Sequence, residues 1–191
     1  KLAVTTTAVY SPAVGSGYWD WKTVNGRFMN YENLEANGDS NTNAFNEPNG
    51  YPAVLTSAMD SEYVVTAFQA NAEVGTHRGS DEQGLEGARL AIENTYGHLQ
   101  NEGFMREDAL LSIVIVGDEN DQSFKEGPRN FPEISAKVQD ETDPDYYVGH
   151  YMNYFASLKS RASQVHFTTI TNAAQDSHYA NASVLASQEG M

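Results

Sequence analysis

The chain has 191 residues, with 26 acidic side chains against 11 basic ones, a formal net charge of −15 and no cysteine. This length suits a single domain, residues 1–191, with a substantial apolar core, and the net charge disfavours binding to nucleic acid or to anionic lipid. The absence of cysteine excludes a disulfide framework and a thiolate metal site, and the apolar runs are too short for membrane insertion.

The first part of the chain predicts a strand followed by a long insertion. Residues 2–10 are rich in β-branched side chains, which favour a strand. Residues 11–50 consist largely of Gly, Asn, Asp, Ser and aromatic residues, which predicts a loop-rich, aromatic and Asn-rich insertion. Trp19 and Trp21 lie close together in it, and they either cover the sheet or, as we favour, contact a partner protein.

Two helices are predicted after the insertion. Residues 61–70 place apolar side chains on one helical face, with Ser61 as the cap. The next helix begins near Ser80, which has capping-box spacing with Gln83, and acidic residues in the first turn favour a helix N-terminus there. Its apolar stripe consists of Leu85, Ala88, Ile92, Tyr96 and Leu99.

Two strands and two further helices follow. Residues 110–116, LLSIVIV, are almost wholly apolar and predict a strand buried on both faces. Pro144 begins a helix, residues 165–171 form a second strand, and a last helix covers residues 176–186. This alternation predicts an α/β fold with a doubly wound, mostly parallel sheet that carries helices on both faces.

Residues 118–123, which we call the acidic loop, directly follow the apolar strand. Ligands bind at the carboxyl ends of parallel strands in open α/β sheets, and oxygen-bearing side chains suit hard cations such as Mg²⁺ or Ca²⁺. A cation would also offset the repulsion among the carboxylates. Alternatively, the side chains extend into solvent and bind nothing. Those that carry oxygen ligands are Asp118, Glu119, Asn120, Asp121 and Ser123.

Residues 74–93, VGTHRGSDEQGLEGARLAIE, and residues 103–123, GFMREDALLSIVIVGDENDQS, resemble the von Willebrand factor type A domain, in its bacterial surface and secreted branch. The resemblance implies a doubly wound, Rossmann-like sheet with a metal-ion-dependent adhesion site at its carboxyl edge. It implies Thr76 and Asp118 as ligands of Mg²⁺ or Ca²⁺, with an open coordination position for an acidic side chain of a partner protein. Candidate residues at the rim of this site are Ser80, Glu119, Asp121 and Ser123.

The sequence departs from the family in one respect. The D-x-S-x-S motif, which supplies further ligands after the first strand of the family, occurs nowhere in the chain. Residues 1–7, KLAVTTT, resemble the second strand of the family, so the resemblance implies a fragment of a longer polypeptide. The first strand would then be supplied by the rest of that polypeptide or by another chain, because a central strand cannot be omitted from a sheet without exposing two edges.

These observations predict a non-enzymatic module for protein binding or adhesion, secreted or at the cell surface. The alternative is a structural subunit of a larger extracellular assembly, in which the metal site is degenerate or empty and Trp19 and Trp21 make permanent contacts. A metal-dependent hydrolase or phosphoryl transferase that uses Asp118 and Asp121 would also need a general base and a phosphate-binding loop, and the sequence offers neither.

Overall fold

A computed structural model describes the protein in residues 1–7, 26–30, 49–73, 82–96, 101–117, 121, 123 and 144–170. The helices and strands in these residues are α1 (Ser61–Ala72), α2 (Gly84–Glu93), β1 (Leu111–Val116), α3 (Pro144–Ser157) and β2 (Val165–Ile170). Short 3₁₀ turns occupy Asn94–Tyr96 and Ala162–Gln164. The described part of the chain is therefore mixed α/β, as predicted.

The chain divides into two compact units. The first unit comprises Lys1–Ser80 and Leu90–Phe104, and the second comprises Asp81–Arg89 and Met105–Met191. The boundary falls within α2, so this helix contributes its first six residues to the second unit and its last four to the first.

In the second unit, β1 and β2 form a parallel pair in which Leu111 lies opposite Val165 and Val116 lies opposite Ile170. Both strands are rich in β-branched and aromatic residues, which favour extended backbone. Parallel strands need a crossover connection, and here that connection contains α3. The two predicted strands, their parallel pairing and the helix between them are confirmed.

α3 supplies the apolar cover for one face of this strand pair. It begins at Pro144, as predicted, because proline lacks the N–H group that the first helical turn would leave unbonded. The ring of Phe155 stacks on that of Phe167 in β2, with centroids 5.9 Å apart. Burying a side chain of this size stabilises the fold by roughly 1.5–3 kcal/mol. The fully buried side chains of α3 are Val148, Tyr151, Met152 and Phe155.

The prediction that residues 110–116 are buried on both faces is wrong. Alternate side chains from Leu111 to Ile115 are buried, whereas Val114 and Val116 are 53% and 64% exposed. Successive side chains of a strand point to opposite faces, and α3 packs on only one face of the pair. The other face carries a row of solvent-exposed apolar side chains, which we call the exposed sheet face: Val114, Val116 and Ile170.

In the first unit, α1 is capped by the residue that precedes it. The Oδ1 atom of Asp60 accepts hydrogen bonds from the backbone N–H groups of Glu62 (3.0 Å) and Tyr63 (3.1 Å). The prediction of Ser61 as the cap is therefore wrong by one position, since Ser61 is the first helical residue. Asp and Ser are both favourable caps, so the sequence pattern does not distinguish two adjacent ones.

The N-terminal segment pairs with two other segments of the first unit. Leu2 and Leu55 exchange backbone hydrogen bonds of 2.8 Å as an isolated antiparallel bridge, and the N–H of Met29 donates to the carbonyl oxygen of Val4 at 2.8 Å. Within residues 1–7, the predicted N-terminal strand is thus present only as these single pairings. Residues 8–10 of that predicted strand lie outside the described residues.

Gly26 and Asn101 join a loop to the last part of α2. Gly26 has a φ of +65°, and a Cβ atom there would lie 2.3 Å from the backbone carbonyl carbon of Leu90, so only glycine fits. The buried side-chain amide of Asn101 donates to the carbonyl oxygens of Gly26 (2.8 Å) and Ala91 (2.9 Å). Its Oδ1 atom accepts a hydrogen bond from the N–H of Phe28 at 2.9 Å, so all of its described bonds stabilise the first unit.

Candidate functional site

Of the residues predicted for a metal or partner site, Asp121 and Ser123 are among those that the structure describes. The other predicted site residues lie outside the described part of the chain: Trp19, Trp21, Thr76, Ser80, Asp118 and Glu119. Their predicted roles stay predictions. The described geometry of the acidic loop therefore comes from Asp121, Ser123 and the preceding Gly117.

The acidic loop leaves β1 at a hydrogen-bonded position. The N–H of Gly117 donates to the carbonyl oxygen of Ile170 at 3.2 Å, so the parallel pairing extends one residue beyond β1. Farther along the loop, Asp121 is fully buried and Ser123 is 1% exposed. The alternative in which the loop side chains simply extend into solvent is therefore wrong for these two residues.

Asp121 and Ser123 cap the N-terminus of α2. The Oδ2 atom of Asp121 accepts a hydrogen bond from the N–H of Leu85 at 3.1 Å, and Oγ of Ser123 accepts one from the N–H of Glu86 at 3.0 Å. Leu85 and Glu86 are in the first turn of the helix, where backbone N–H groups have no partner within the helix. The hydroxyl of Ser123 donates to Oδ2 of Asp121 at 3.1 Å, and its N–H donates to Oδ1 at 3.1 Å.

These contacts explain how a carboxylate can be buried beyond the end of β1. Removing an ionised carboxylate from water costs several kcal/mol unless hydrogen bonds and a favourable charge replace the water. Asp121 accepts three hydrogen bonds, and the N-terminus of a helix carries roughly half a positive charge. The structure therefore gives Asp121 and Ser123 a capping role, and their predicted role at the rim of a metal site stays a prediction.

The start of α2 differs from the predicted one. The helix begins at Gly84, so Gln83 lies just before it and not in its first turn, where the capping-box spacing with Ser80 would place it. The carbonyl oxygen of Gln83 accepts a hydrogen bond from the N–H of Gly87 at 2.8 Å, as expected for the residue that precedes a helix. The side chains that cap the first turn come from the acidic loop, far along the chain. A local sequence motif cannot predict a cap of this kind.

A buried ion pair adjoins the capped end of α2. The carboxylate of Glu86 accepts two hydrogen bonds from the guanidinium of Arg89, from Nε at 2.7 Å and from Nη2 at 2.6 Å. Both side chains are fully buried, and two parallel bonds are the strongest arrangement for this kind of pair. The hydroxyl of Tyr151 in α3 donates to the same carboxylate at 2.8 Å. Glu86 thus contacts Ser123 through its backbone and α3 through its side chain.

Tyr151 acts in this network as a neutral hydrogen-bond donor. Burial raises the pKa of its hydroxyl well above the usual range, and the Glu86 carboxylate raises that pKa further. A phenolate at this position would be desolvated and would face a negative charge. The neutral phenol can donate its proton to Glu86, so the raised pKa and the hydrogen bond have the same cause.

The side chains of this network are enclosed by the fold. Glu86, Arg89, Asp121 and Tyr151 have no exposed surface, and a catalytic acid or base must come within about 3 Å of the reacting group. In the described segments, no three His, Asp or Glu side chains form a group that could hold a metal ion. The cation ligands that the sequence predicts, Thr76 and Asp118, lie outside those segments.

Sequence reasoning missed the buried Glu86–Arg89 pair. Oppositely charged residues three positions apart on a helix usually form an exposed pair, and the predicted apolar stripe instead includes Ala88, which is only partly buried. The available signal is the presence of Gly84 and Gly87 on either side of the glutamate. Small residues allow a neighbouring segment to approach the helix closely, which favours burial of the side chains between them.

Comparison of the chain with protein-family models, with curated proteins and with solved structures finds no match. The resemblance to the type A domain therefore rests on the sequence motifs alone. Among the helices that the structure describes, none combines the length and the apolar character needed to cross a membrane.

Proposed function

We propose that the protein is a non-enzymatic binding module that holds Mg²⁺ or Ca²⁺ on its acidic loop and binds a partner protein through that cation. Asp118 is the principal proposed ligand, and the resemblance to the type A domain adds Thr76. The observation that carries the proposal is the position of the loop. It starts at the carboxyl end of a parallel strand, and the residues on either side of Asp118 and Glu119 make hydrogen bonds. Gly117 is bonded to β2, and Asp121 is bonded to α2.

The two held positions restrict the acidic residues between them. Gly117 is bonded to β2 and Asp121 to α2, so only residues 118–120 lie between two fixed points. Four residue steps can span at most about 14 Å. A loop restricted in this way loses less conformational freedom when it binds a ligand, which favours affinity.

The charge of the loop supports a cation as the ligand. The helix N-terminus and three hydrogen bonds stabilise Asp121, whereas Asp118 and Glu119 add two adjacent carboxylates to the same loop. Carboxylate oxygens are the ligands that Mg²⁺ and Ca²⁺ prefer. Because the chain carries a net charge of −15, a bound cation would also reduce its repulsion of an acidic partner. Glu119 and Ser80 are proposed at the rim of this site.

Isothermal titration calorimetry with Mg²⁺ and Ca²⁺ tests the proposed cation site. We expect measurable binding by the wild type and loss of that binding in Asp118→Ala, because the principal ligand is removed. Asp108→Ala is the matched control, since Asp108 is an exposed aspartate in the turn before β1, and it should bind like the wild type. Negligible heat with the wild type, or equal heats for the wild type and Asp118→Ala, would contradict the proposal.

The proposal includes the complete architecture and its location. We propose a doubly wound sheet, and the parallel pairing of β1 with β2 through a helical crossover supports it, because such sheets are built from units of this kind. A secreted or cell-surface location fits the acidic composition. Trp19 and Trp21 are proposed contacts with the partner protein, since clustered tryptophans are enriched at protein interfaces.

The second candidate function is that of a structural subunit in a larger extracellular assembly, with an empty metal site. The exposed sheet face favours it, because adjacent apolar side chains on two strands offer a surface for another subunit. Light scattering on the wild type and on Val114→Lys with Val116→Lys tests this function. The candidate requires a wild-type assembly that the double variant loses, and a monomeric wild type at high concentration would contradict it.

A further inference from the structure

The helix α1 buries little of its own surface. Of its twelve residues, two are buried, Ala67 and Asn71. The side chain of Asn71 donates from Nδ2 to the carbonyl oxygen of Pro52 at 3.1 Å, and its Oδ1 atom accepts from Nδ2 of Asn49 at 2.8 Å. These contacts fix the rotation of the helix about its axis, so they also determine which of its side chains point to solvent.

The solvent-facing side of α1 carries three aligned apolar side chains, which we call the α1 stripe: Val65, Phe68 and Ala72. Val65 is 56% exposed, Phe68 is 38% exposed, and Ala72 is exposed as well. Spacings of three and four positions place the three residues along one side of the helix. The same spacing forms the seam between two paired helices, so the stripe has the pattern of a surface that a second helix can cover.

The charged side chains in and directly beside α1 are all negative. Asp60 precedes the helix, Glu62 lies in its first turn, and Glu73 directly follows its last residue. All three are exposed, and α1 contains no lysine or arginine. The eleven positions from Glu62 to Glu73 make about three helical turns, so these two carboxylates lie on the same side of the helix, at either end of the α1 stripe.

Glu73 lies at the end of the helix where a negative charge is least favourable. The C-terminus of a helix carries roughly half a negative charge, which repels a carboxylate and attracts a cation. The last turn of α1 contains no basic side chain that would offset this repulsion. A cationic side chain supplied by a partner would therefore be attracted both by Glu73 and by the helix terminus itself.

We propose that the α1 stripe is a docking surface for a basic amphipathic helix of a partner protein. The apolar face of the partner helix packs on Val65 and Phe68, and its lysine or arginine side chains lie beside Glu62 and Glu73. A second copy of this chain is a poor occupant, because it would bring two sets of these carboxylates together between chains of net charge −15. This docking requires no cation, so it is independent of the site proposed on the acidic loop.

Isothermal titration calorimetry with a designed peptide tests the docking surface on the full chain. The probe is a peptide of about 20 leucine and lysine residues, long enough to form a helix, with all leucines on one helical face. A peptide of the same composition in scrambled order has the same charge but no apolar face. The titrations contain EDTA, so that divalent cations play no part. We expect the wild type to bind the amphipathic peptide about tenfold more tightly than the scrambled one.

Substitutions in the α1 stripe locate the binding site. Val65→Lys and Phe68→Ala should each weaken binding of the amphipathic peptide about tenfold, because they remove the apolar contact. Val114→Lys is the matched control and should bind like the wild type. Val114 is 53% exposed on the exposed sheet face, so its substitution adds the same charge at a similarly exposed valine outside α1. Circular dichroism at the temperature of the titration establishes that each variant is folded.

Neutral substitutions test the contribution of the carboxylates beside the stripe. Glu62→Gln combined with Glu73→Gln should weaken binding about threefold at low salt and have little effect at high salt, because salt screens exposed charges. The control combines Glu102→Gln with Glu107→Gln, which removes the same charge from two exposed positions outside α1. Equal losses in the two double variants would mean that affinity follows net charge alone, which would contradict the inference.

Binding that is lost in Val65→Lys and Phe68→Ala but kept in Val114→Lys supports the inference. The inference is wrong if the wild type does not bind the amphipathic peptide, or binds the scrambled peptide equally well. It is also wrong if Val65→Lys and Val114→Lys have the same affinity. A wild-type dimer in sedimentation analysis that Val65→Lys abolishes would assign the α1 stripe to a second copy of the chain and would overturn the proposed partner. None of these outcomes affects the cation site, which the titrations with Mg²⁺ and Ca²⁺ test separately.

Discussion

The N-termini of α1 and α2 are capped in two different ways. The cap of α1 is local and exposed, because Asp60 accepts hydrogen bonds from N–H groups two and three residues along the chain, those of Glu62 and Tyr63. The cap of α2 is distant and buried. Asp121 and Ser123 lie 36 and 37 residues from the N–H groups that they accept, and almost no solvent reaches them.

The comparison shows that similar hydrogen bonds have different consequences for the fold. The local cap of α1 fixes one helix end, and water can replace it when it is lost. The distant cap of α2 joins the acidic loop to the helix, and Glu86 extends the connection to Tyr151 in α3. Loss of a buried member of this network leaves its partners without water to replace it, so larger effects are expected there.

The largest expected effect is that of Arg89→Met. This substitution leaves the buried carboxylate of Glu86 without its cation, and breaking a buried pair in this way costs about 4 kcal/mol of unfolding free energy. Urea denaturation measures the change. The control is Arg106→Met at an exposed arginine, for which we expect a change within about 0.5 kcal/mol. Equal stabilities of the two variants would contradict a buried network next to the α2 cap.

Asp121→Ala should have the next largest effect. The N–H of Leu85 and the hydroxyl of Ser123 lose their buried acceptor, which we expect to lower the free energy of unfolding by about 3 kcal/mol. Chemical denaturation compares this variant with Asp108→Ala, which removes an exposed aspartate. A loss no greater than that of the exposed control would mean that the distant cap does not stabilise the protein.

Tyr151→Phe should have a smaller effect that depends on pH. A hydrogen bond to a charged group contributes about 2 kcal/mol, and the substitution removes the donor to Glu86. Because the pKa of Tyr151 is raised in the folded state, the unfolded chain releases this proton first, at about pH 10. The contribution of Tyr151 is therefore complete below pH 10 and decreases above it.

Denaturation of the wild type and Tyr151→Phe at several pH values measures this dependence. The difference in unfolding free energy should be constant from pH 7 to 9 and should narrow as the pH rises above 10. The control is Tyr63→Phe, at a tyrosine that is 41% exposed, and it should change the free energy of unfolding little both below and above pH 10. A difference that widens above pH 10 would mean that Tyr151 is not the neutral donor of the folded state.

The parts of the fold that depend on local chemistry could be predicted from the sequence. β1 and β2 follow from runs of β-branched residues, and the start of α3 follows from a proline that tolerates the first helical position. The cap of α1 was predicted within one residue, because Asp60 and Ser61 are adjacent and chemically similar caps. Each of these features is determined within a few positions of the chain.

The features that depend on distant contacts could not be predicted. Only one face of β1 is buried because α3 packs on that face. A run of apolar residues does not indicate on which face of the strand a helix will pack. The sequence shows that the acidic loop is unusual, but the capping role of Asp121 depends on a donor, the N–H of Leu85, that lies 36 residues earlier in the chain. Glu86 and Arg89 also look like a surface ion pair in the sequence, because their burial depends on segments that are distant along the chain.

The smallest expected effect, and the closest test of the comparison, is substitution of Asp60. Asp60→Ala should lower the free energy of unfolding by about 1 kcal/mol, and Asp60→Asn should change it little, because asparagine is an equally good local cap. Asp121→Asn should remain costly, since Oδ2 of Asp121 accepts from two donors and an amide retains only one oxygen in a buried site. Denaturation of the two asparagine variants under the same conditions compares the caps directly. If the two variants lose the same unfolding free energy, the buried cap of α2 contributes no more to stability than the exposed cap of α1. The distance between Asp121 and the helix that it caps would then have no effect on stability.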